Sequence, residues 1–551
     1  MLQQKTIFEF LFQKTMPKHC IPYQNTGYFS ELIIDYLNQE EEVKFLYHCF
    51  PTLENFGRQI KEKQKHYPQT HRKVLVEVLN SQYKNLKVSD TTTTHLKNLG
   101  NSNTFTVTTG HQLNLFTGPL YFLYKIISTI NLCKELKQKY PDNNFVPIYW
   151  MATEDHDFEE INFFNFNNKK VDWDRNSGGA VGELSTDGLE SVYQSFSEML
   201  GNSPNARKIK SLFKEAYLNH TKLAEATRFL AHSLFDDFGL LILDANNAAL
   251  KKLFIPQIKE EVKINTASVE VEKINKRINS IPQKNYKLQV NPREINLFYL
   301  KDGVRERIIK QNNTFFINNT TIQFSENELQ SEIETYPERF SPNVILRPLY
   351  QEVILPNLCY IGGGGELAYW LQLKSFFEKS KVLFPVLLLR NSALLISSKE
   401  IEKINKLNLT VEDLFLSKNK LQSKVTRQLS DIKIDLSEQR NHLKQQFKDL
   451  YTLAKKTDPT FEKMVAAQET KQLNGLDKME KRLLKAQKRK LVDHLNRVTQ
   501  LQNELFPKGS LQERTANFSE FYLEYGNELI EILFKELKPL ELEFLCLELK
   551  D

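Results

Sequence analysis

The chain has 551 residues, with 74 Lys+Arg against 68 Asp+Glu for a net charge of +6, and 40% hydrophobic and 11% aromatic residues. That apolar share supplies a large core and excludes global disorder. With only 19 Gly and 19 Pro the chain is too poor in turn residues for an all-β protein, so helix should dominate. Five dispersed cysteines, Cys20, Cys49, Cys133, Cys359 and Cys546, exclude a disulfide framework, a CxxC pair and a thiolate zinc ribbon, and fit a reducing compartment. The opening MLQQKTIFEFLFQK has polar residues inside its apolar stretch and no small-residue cleavage site, unlike a signal peptide. The most apolar run, VLFPVLLL at 382–389, is far short of the roughly 20 residues a membrane span needs. A soluble, cytoplasmic protein is expected.

In chain order, the first hundred residues (FLYHCFPTLENF, KEKQKHYPQTHRKVLVEVLN) read as amphipathic helices. TFTVTT at 104–109 is the first strong strand signal. Gly118-Pro119 follows, and proline suits the first position of a helix. Leu120, Leu123, Tyr124, Ile127 and Ile130 recur at helical spacing, predicting a helix to about Lys139. After the turn Pro141-Asp142-Asn143-Asn144, FVPIYWMAT at 145–153 is nearly all apolar, as in a parallel-sheet strand covered on both faces. Strand, helix and strand make a βαβ unit. GLLILDA at 239–245, VILPNLCYIG at 353–362 and VLFPVLLL at 382–389 are further strand candidates, with a helix at about 366–379 between the last two. Residues 160–235 read as a mainly helical insertion, and the alternating stretch 284–325 as a small antiparallel sheet.

From about 418 the composition changes. Only Gly475 interrupts 418–505, where 20 Lys/Arg face 11 Asp/Glu, so this arm holds all the net positive charge. Val425, Leu429, Ile432, Leu436, Leu443, Phe447 and Leu450 follow heptad spacing, as do Leu484, Leu491, Val498 and Leu505. Pro459 separates two arms, predicting an antiparallel helical hairpin or a dimerising coiled coil. Its charges read as solvated faces rather than a nucleic-acid surface.

Three polar clusters end apolar strands, the edge where open α/β sheets bind ligands. In Thr109-Gly110-His111-Gln112, continuing to Thr117-Gly118-Pro119, backbone N–H groups at a helix start attract anions and histidine adds a donor; an ordinary surface turn is the alternative. In Thr153-Glu154-Asp155-His156-Asp157, with Glu159 and Glu160 beyond, consecutive ionisable groups would each cost several kcal/mol to bury unpaired. Metal coordination, ammonium recognition and general-base work are open to it. The alternative is an exposed loop with Asp155 or Asp157 as an N-cap. Zinc is disfavoured, because no HExxH or second-histidine spacing accompanies the cluster, and no metal ligand is assigned.

The third cluster is Gly362-Gly363-Gly364-Gly365-Glu366-Leu367-Ala368-Tyr369-Trp370. Four glycines in so glycine-poor a chain point to positive φ or close ligand approach, and to an anion-cradling loop. Residues 363–368 match G-x-G-x-x-A, but the acidic residue expected about 20 further on is missing and no GK[ST] follows. A tight strand-to-helix crossover is the alternative. Lys125, Arg347, Arg390 and Asn391 are lesser candidates, as anion ligands or as structural pairs. Cys359 reads as core rather than nucleophile.

The segments TGHQLNLFTGPLYFLYKIIS, PIYWMATEDHDFEEIN and YIGGGGELAYWLQLKSFFE resemble the signature segments of the cysteine-adding enzymes of bacillithiol biosynthesis, the BshC family, in order and spacing over essentially the full length. The resemblance implies a cytoplasmic bacterial ligase joining L-cysteine to glucosaminyl-malate. It implies an α/β fold with a Rossmann-like parallel-sheet core similar to class I aminoacyl-tRNA synthetases, and a coiled-coil homodimer. On that pattern 1–160 and 341–400 form the two halves of the core, 161–235 a helical insertion, and 236–283 a core strand with helices. Residues 284–340 form the β insertion, 401–510 the coiled-coil arm, and 511–551 a C-terminal helical tail. His111-Gln112 stands where such folds place a nucleotide-contacting histidine motif. Many relatives have Gln-Gln there and a proline in the glycine loop, where this chain has His111 and Gly364. The lysine-serine loop motif of class I synthetases is not recognisable.

ATP is the expected cosubstrate, activating the cysteine carboxylate as an acyl-adenylate or acyl-phosphate; whether magnesium accompanies it is left open. His111, Gln112, Thr117, Gly118 and the Gly362–Gly365 backbone would bind phosphate, with Glu366, Tyr369, Arg390 and Asn391 beside them. Asp155 or Asp157, oriented by His156 next to Glu154, would hold the cysteine ammonium or deprotonate the attacking amine. The rival readings are a metal-dependent hydrolase built on Glu154–Asp157 and a tRNA-binding synthetase-like protein. All of this requires the three loops to meet on one rim of one sheet.

Overall fold

The computed structural model describes residues 18–550. It places five wholly or nearly buried segments, Thr104–His111 (β1), Asn144–Met151 (β2), Leu241–Asp244 (β3), Asn357–Gly362 (β4) and Val386–Leu389 (β5), side by side in one parallel sheet. The strand order is β5-β4-β1-β2-β3, a Rossmann-like order in which the chain leaves β1 in one direction and returns to its other side. Ligands of such sheets bind outside the carboxyl ends of the strands where the order reverses, here between His111 and Gly362. The opening segment MLQQKTIFEFLFQK, read above as unlike a signal peptide, lies outside the described residues.

Tyr121–Lys139 (α1) joins β1 to β2 and buries Leu123, Tyr124, Ile127 and Ile130. Pro119 stands two residues before the helix rather than at its first position. Strand β1 runs two residues beyond the predicted end, because Gly110 and His111 still pair with Trp150 and Met151. In VILPNLCYIG the first residues belong to a helix, Leu346–Ile354 (α2), and the strand begins after Pro356. Proline fits that boundary, since it disfavours helix in the residue before it. The predicted helix at 366–379 starts at Gly364 and is two pieces, Gly364–Leu371 (α3) and Lys374–Lys379.

The insertion at 160–235 holds helices Leu189–Leu200, Pro204–Tyr217 and Leu223–Phe235. It also holds a hairpin, Phe163–Phe166 with Lys169–Asp172. Asn167 and Asn168 turn it with φ of 50° and 62°, the twist that a two-residue hairpin loop demands. The alternating stretch forms antiparallel strands Leu297–Lys301, Val304–Gln311, Thr314–Ile317 and Gln323–Ser325, joined by Phe340–Pro342.

The arm consists of Lys418–Leu429 (α4), Ser437–Ala454 (α5), Pro459–Lys490 (α6) and Val492–Leu505 (α7). Helices α5 and α6 turn back at Pro459 and share a small core of Phe447, Ala454 and Val465. The first heptad seam is not continuous: residues 430–436 are not helical, and Ile432 and Leu450 are exposed. The C-terminal segment is not purely helical either. After helices Phe518–Tyr525 and Asn527–Glu536, Glu543–Leu549 is a strand. It lies between Lys18–Pro22, antiparallel, and Ala393–Ser397, parallel. No helix of the described residues is long and apolar enough to cross a membrane.

Candidate active site

A cleft of about 1070 Å³ opens at the carboxyl ends of the parallel strands. It is lined by Gly110, His111, Gln112 and Gly118 from the first motif, by Glu154, Asp155 and His156 from the second, and by Gly363, Gly365, Glu366 and Tyr369 from the third, with Arg390 at the end of β5. The three loops therefore meet on one rim.

At the floor, Lys125 of α1 is buried; its Nζ lies 2.6 Å from Glu366 Oε2 and donates to the Gly110 carbonyl at 2.7 Å. Glu366 also accepts from the Tyr360 hydroxyl at 2.8 Å and from the Gly363 N–H at 2.8 Å. Burial pushes the Glu366 carboxyl up, but Lys125 and these donors outweigh it and hold the group below its usual range. His111 packs against Tyr121 and Phe122 with ring centroids 5.5 and 5.0 Å apart. Burial, reinforced by the Lys125 ammonium, pushes its imidazole down to about 3, so the ring is neutral at neutral pH. Its Nε2 is buried without a partner among the described residues.

The acidic corner is built across elements. Gln112 Nε2 donates to Asp155 Oδ2 at 2.9 Å and to Glu160 Oε2 at 3.1 Å. Asp155 Oδ1 accepts from the His156 backbone N–H at 2.7 Å, and Arg305 Nη1 stands 3.9 Å away while donating to the His156 ring at 2.6 Å. Burial raises the Asp155 carboxyl, yet His156 and Arg305 together hold it below the usual carboxylate range. Neither His111 nor Asp155 has the proton affinity of a general base at neutral pH; Asp155 is a fixed anion. Glu154 is spent on the fully buried Lys251, which also donates to the Phe340 carbonyl at 2.7 Å.

Five expected site residues do not line the cleft. Asn391 donates to the Lys538 carbonyl at 2.8 Å and accepts from Ser128 Oγ at 2.9 Å, which ties the sheet to the C-terminal segment. Asp157 is exposed and makes no side-chain cap at the following helix. Thr117 is buried, and Gly364 packs towards Phe29. Gly362 sits in β4, where an added Cβ would meet Leu367 and Tyr360 at 2.9 Å. None of the four glycines has a positive φ. Gly362 is required for packing, and the Gly363 N–H is occupied by Glu366, so the loop offers fewer free donors than its composition suggests.

The left-handed stretch lies elsewhere. Phe116, Thr117 and Gly118 have φ of 47°, 66° and 62°, which is costly for the β-branched Thr117. Asn517 Nδ2 clamps it, donating to the Phe116 and Gly118 carbonyls at 2.8 and 2.6 Å.

Residues 16–391 match the family model described as "Bacillithiol biosynthesis BshC, N-terminal Rossmann-like domain", and residues 393–549 match "Bacillithiol biosynthesis BshC, C-terminal coiled-coil domain". The chain belongs to the BshC family. A Flavobacterium johnsoniae relative is 56% identical over 529 residues, covering 96% of this chain and 99% of its own. One from Christiangramia forsetii is 56% identical over 533 residues (96% and 98%), and one from Cytophaga hutchinsonii 39% over 519 (94% and 96%). Each bears the name "Putative cysteine ligase BshC".

The two BshC matches meet just beyond Arg390, and residues from both line the cleft. The guanidinium of Arg390 is 2.6 Å from Glu513, beyond the arm, and both side chains are buried. Arg390 is thus a structural pair whose Nε alone stays unpartnered. Sequence reading missed Arg305 and Arg514, which also line the cleft. Arg305 sits in the alternating stretch VRERIIK of the β insertion and Arg514 beyond the arm, and neither has a local motif to mark it.

Proposed function

We propose that this chain is the ligase that forms an amide between the carboxylate of L-cysteine and the amine of glucosaminyl-malate, with ATP driving the step, and that it works in the cytoplasm as a homodimer. Membership of the BshC family and the names of its relatives support the cysteine-ligase reading. The observation that carries the mechanism is the set of unpartnered buried donors at the cleft: Arg305 Nε, Arg347 Nη2 and Arg390 Nε. Buried donors without partners are uncommon in native proteins, and three around one cleft suit a ligand rich in carboxylate or phosphate oxygens.

That donor set fits a nucleotide, with Arg347, Arg390 and the open backbone at Gly365 as the groups that would hold its phosphates. When bound, ATP supplies a leaving group for the cysteine carboxylate. Asp155, kept anionic by His156 and Arg305, would hold the cysteine ammonium. Neutral His111, whose other ring nitrogen faces the Thr117 carbonyl, would offer its Nε2 lone pair to a donor of the bound substrate. Lys125 and Glu366 fix the end of β1 and the start of α3, so these groups keep their positions without a cost of reorganisation. The hydrolase reading loses ground, since Glu154 is committed to Lys251 and no three His, Cys, Asp or Glu side chains among the described residues converge as a metal site would need. Exposed Leu450, Leu453, Met464 and Met479 along the arm favour self-association.

The test is product formation. Purified protein with L-cysteine, glucosaminyl-malate and ATP should yield bacillithiol, detected by thiol labelling and mass spectrometry, with nucleotide turnover in step. Folded protein that makes none, with or without ATP, overturns the reading. Sedimentation should give twice the chain mass.

A further inference from the structure

The segment Gln512–Asn517, which follows the helical arm, is stitched to the core at every turn. The Gln512 side chain accepts from the Leu395 N–H and donates to the Leu395 carbonyl, both at 3.0 Å. Glu513, fully buried, pairs with Arg390 and accepts from the Ala393 N–H at 3.0 Å. The Thr515 carbonyl accepts from Asn165 at 2.9 Å, and the Ala516 carbonyl from the Leu120 N–H at 2.8 Å. Asn517 closes the run on the Phe116–Gly118 stretch. Such a strap is held far more firmly than a surface connection needs, and its one outward cation, Arg514, lines the cleft. Arg514 is exposed, and its side chain has no hydrogen bond or ion pair among the described residues.

We infer that Arg514 is a substrate-anion ligand, and that through it the C-terminal region completes the binding cleft of the Rossmann-like core. A guanidinium carried on a pinned backbone is preorganised for carboxylate or phosphate recognition. Arg305, Arg347 and Arg390 bring further unpartnered N–H groups to the same cleft. The inference rests on the ligase reading only for the identity of the anion, which is a malyl carboxylate of glucosaminyl-malate or a phosphate of ATP.

Calorimetric titration of the full chain and of Arg514→Gln with ATP, glucosaminyl-malate and inorganic phosphate tests it. Arg514→Gln should bind at least one of the three at least tenfold more weakly, and Arg514→Lys should restore part of the loss. The melting temperature should stay unchanged, since the side chain is exposed. Selective loss for ATP or for glucosaminyl-malate identifies the anion. Dissociation constants within twofold of the parent for all three overturn the inference, as does a full chain that binds none of them. If Arg514→Gln loses phosphate affinity while the parent makes no bacillithiol, the ligase reading fails and Arg514 stands. If bacillithiol forms and Arg514→Gln binds normally, the reverse holds.

Discussion

Lys125 and Glu366 meet 2.6 Å apart at the floor of the cleft, joining the helix after β1 to the helix after β4 across the switch point of the sheet. Lys125 is buried, but the Glu366 side chain is 27% exposed to the cleft. Removing the lysine thus leaves a partly solvated carboxylate uncompensated, at a cost of about 1–3 kcal/mol rather than that of a fully buried pair. Lys125→Met should therefore lower unfolding stability by about that much in urea titrations. Adding Glu366→Leu should recover much of the loss, because both charges are then gone. A double variant as unstable as the sum of its parts would show that the pair is not the coupling.

The neutrality of His111 has a sign that can be checked. Its folded value is about 3 against an ordinary 6.5, so between those limits the unfolded chain takes up a proton that the folded chain refuses. The stability involved is fully present above pH 6.5 and is lost as pH falls towards 3, by at most about 1.4 kcal/mol per pH unit. Urea midpoints measured from pH 7 to pH 4 should fall less steeply for His111→Gln than for the parent. The pH–rate profile between 5 and 8 should show no limb that His111→Gln removes.

Asp155 and Asp157 are two residues apart, yet only Asp155 faces the cleft. Truncating a hydrogen-bonded charge that holds an opposite charge costs about 2–5 kcal/mol. Asp155→Asn should thus lose roughly 30-fold or more in kcat/KM for cysteine, together with a lower melting temperature, since Gln112, His156 and Arg305 lose a charged partner. Asp157→Asn should match the parent, and equal losses in both variants would refute the assignment of the ammonium site.

Asn517 satisfies two carbonyls of a strained loop. Asn517→Ala leaves both without that donor, each unsatisfied group costing about 1–3 kcal/mol. The expected result is a lowered melting temperature with faster amide exchange at residues 114–120 and in the first turn of helix Phe518–Tyr525, which Asn517 caps by accepting from the Ser519 N–H at 3.0 Å. Exchange that stays at parental rates there would show that the clamp is dispensable.

The rim of the cleft was legible because each motif ends a run of apolar residues, and a buried parallel strand has few other ways to end. Its details were hidden where neighbours override local signals. Gly110-His111 has the chemistry of a turn but stays in the strand because β2 pairs with it. The glycine run suggested free backbone donors, yet Glu366, three residues on from Gly363, occupies one of them. The heptad spacing of Ile432 and Leu436 continues through a segment that is not helical. Arg305 and Arg514 reach the cleft from about 150 and 360 residues beyond Asp155 along the chain, and no spacing rule spans such distances.

The strand Glu543–Leu549 lies in the middle of its sheet, with Lys18–Pro22 on one side and Ala393–Ser397 on the other. Ribosomes make proteins from the amino end, so the piece that fastens these two edges together emerges more than five hundred positions after the first of them. Until it does, the nascent polypeptide must carry an unpaired edge next to a half-built cleft rim. Both seams therefore wait on the last of the three strands to be made, and a message stopped before it would yield a product with neither seam closed.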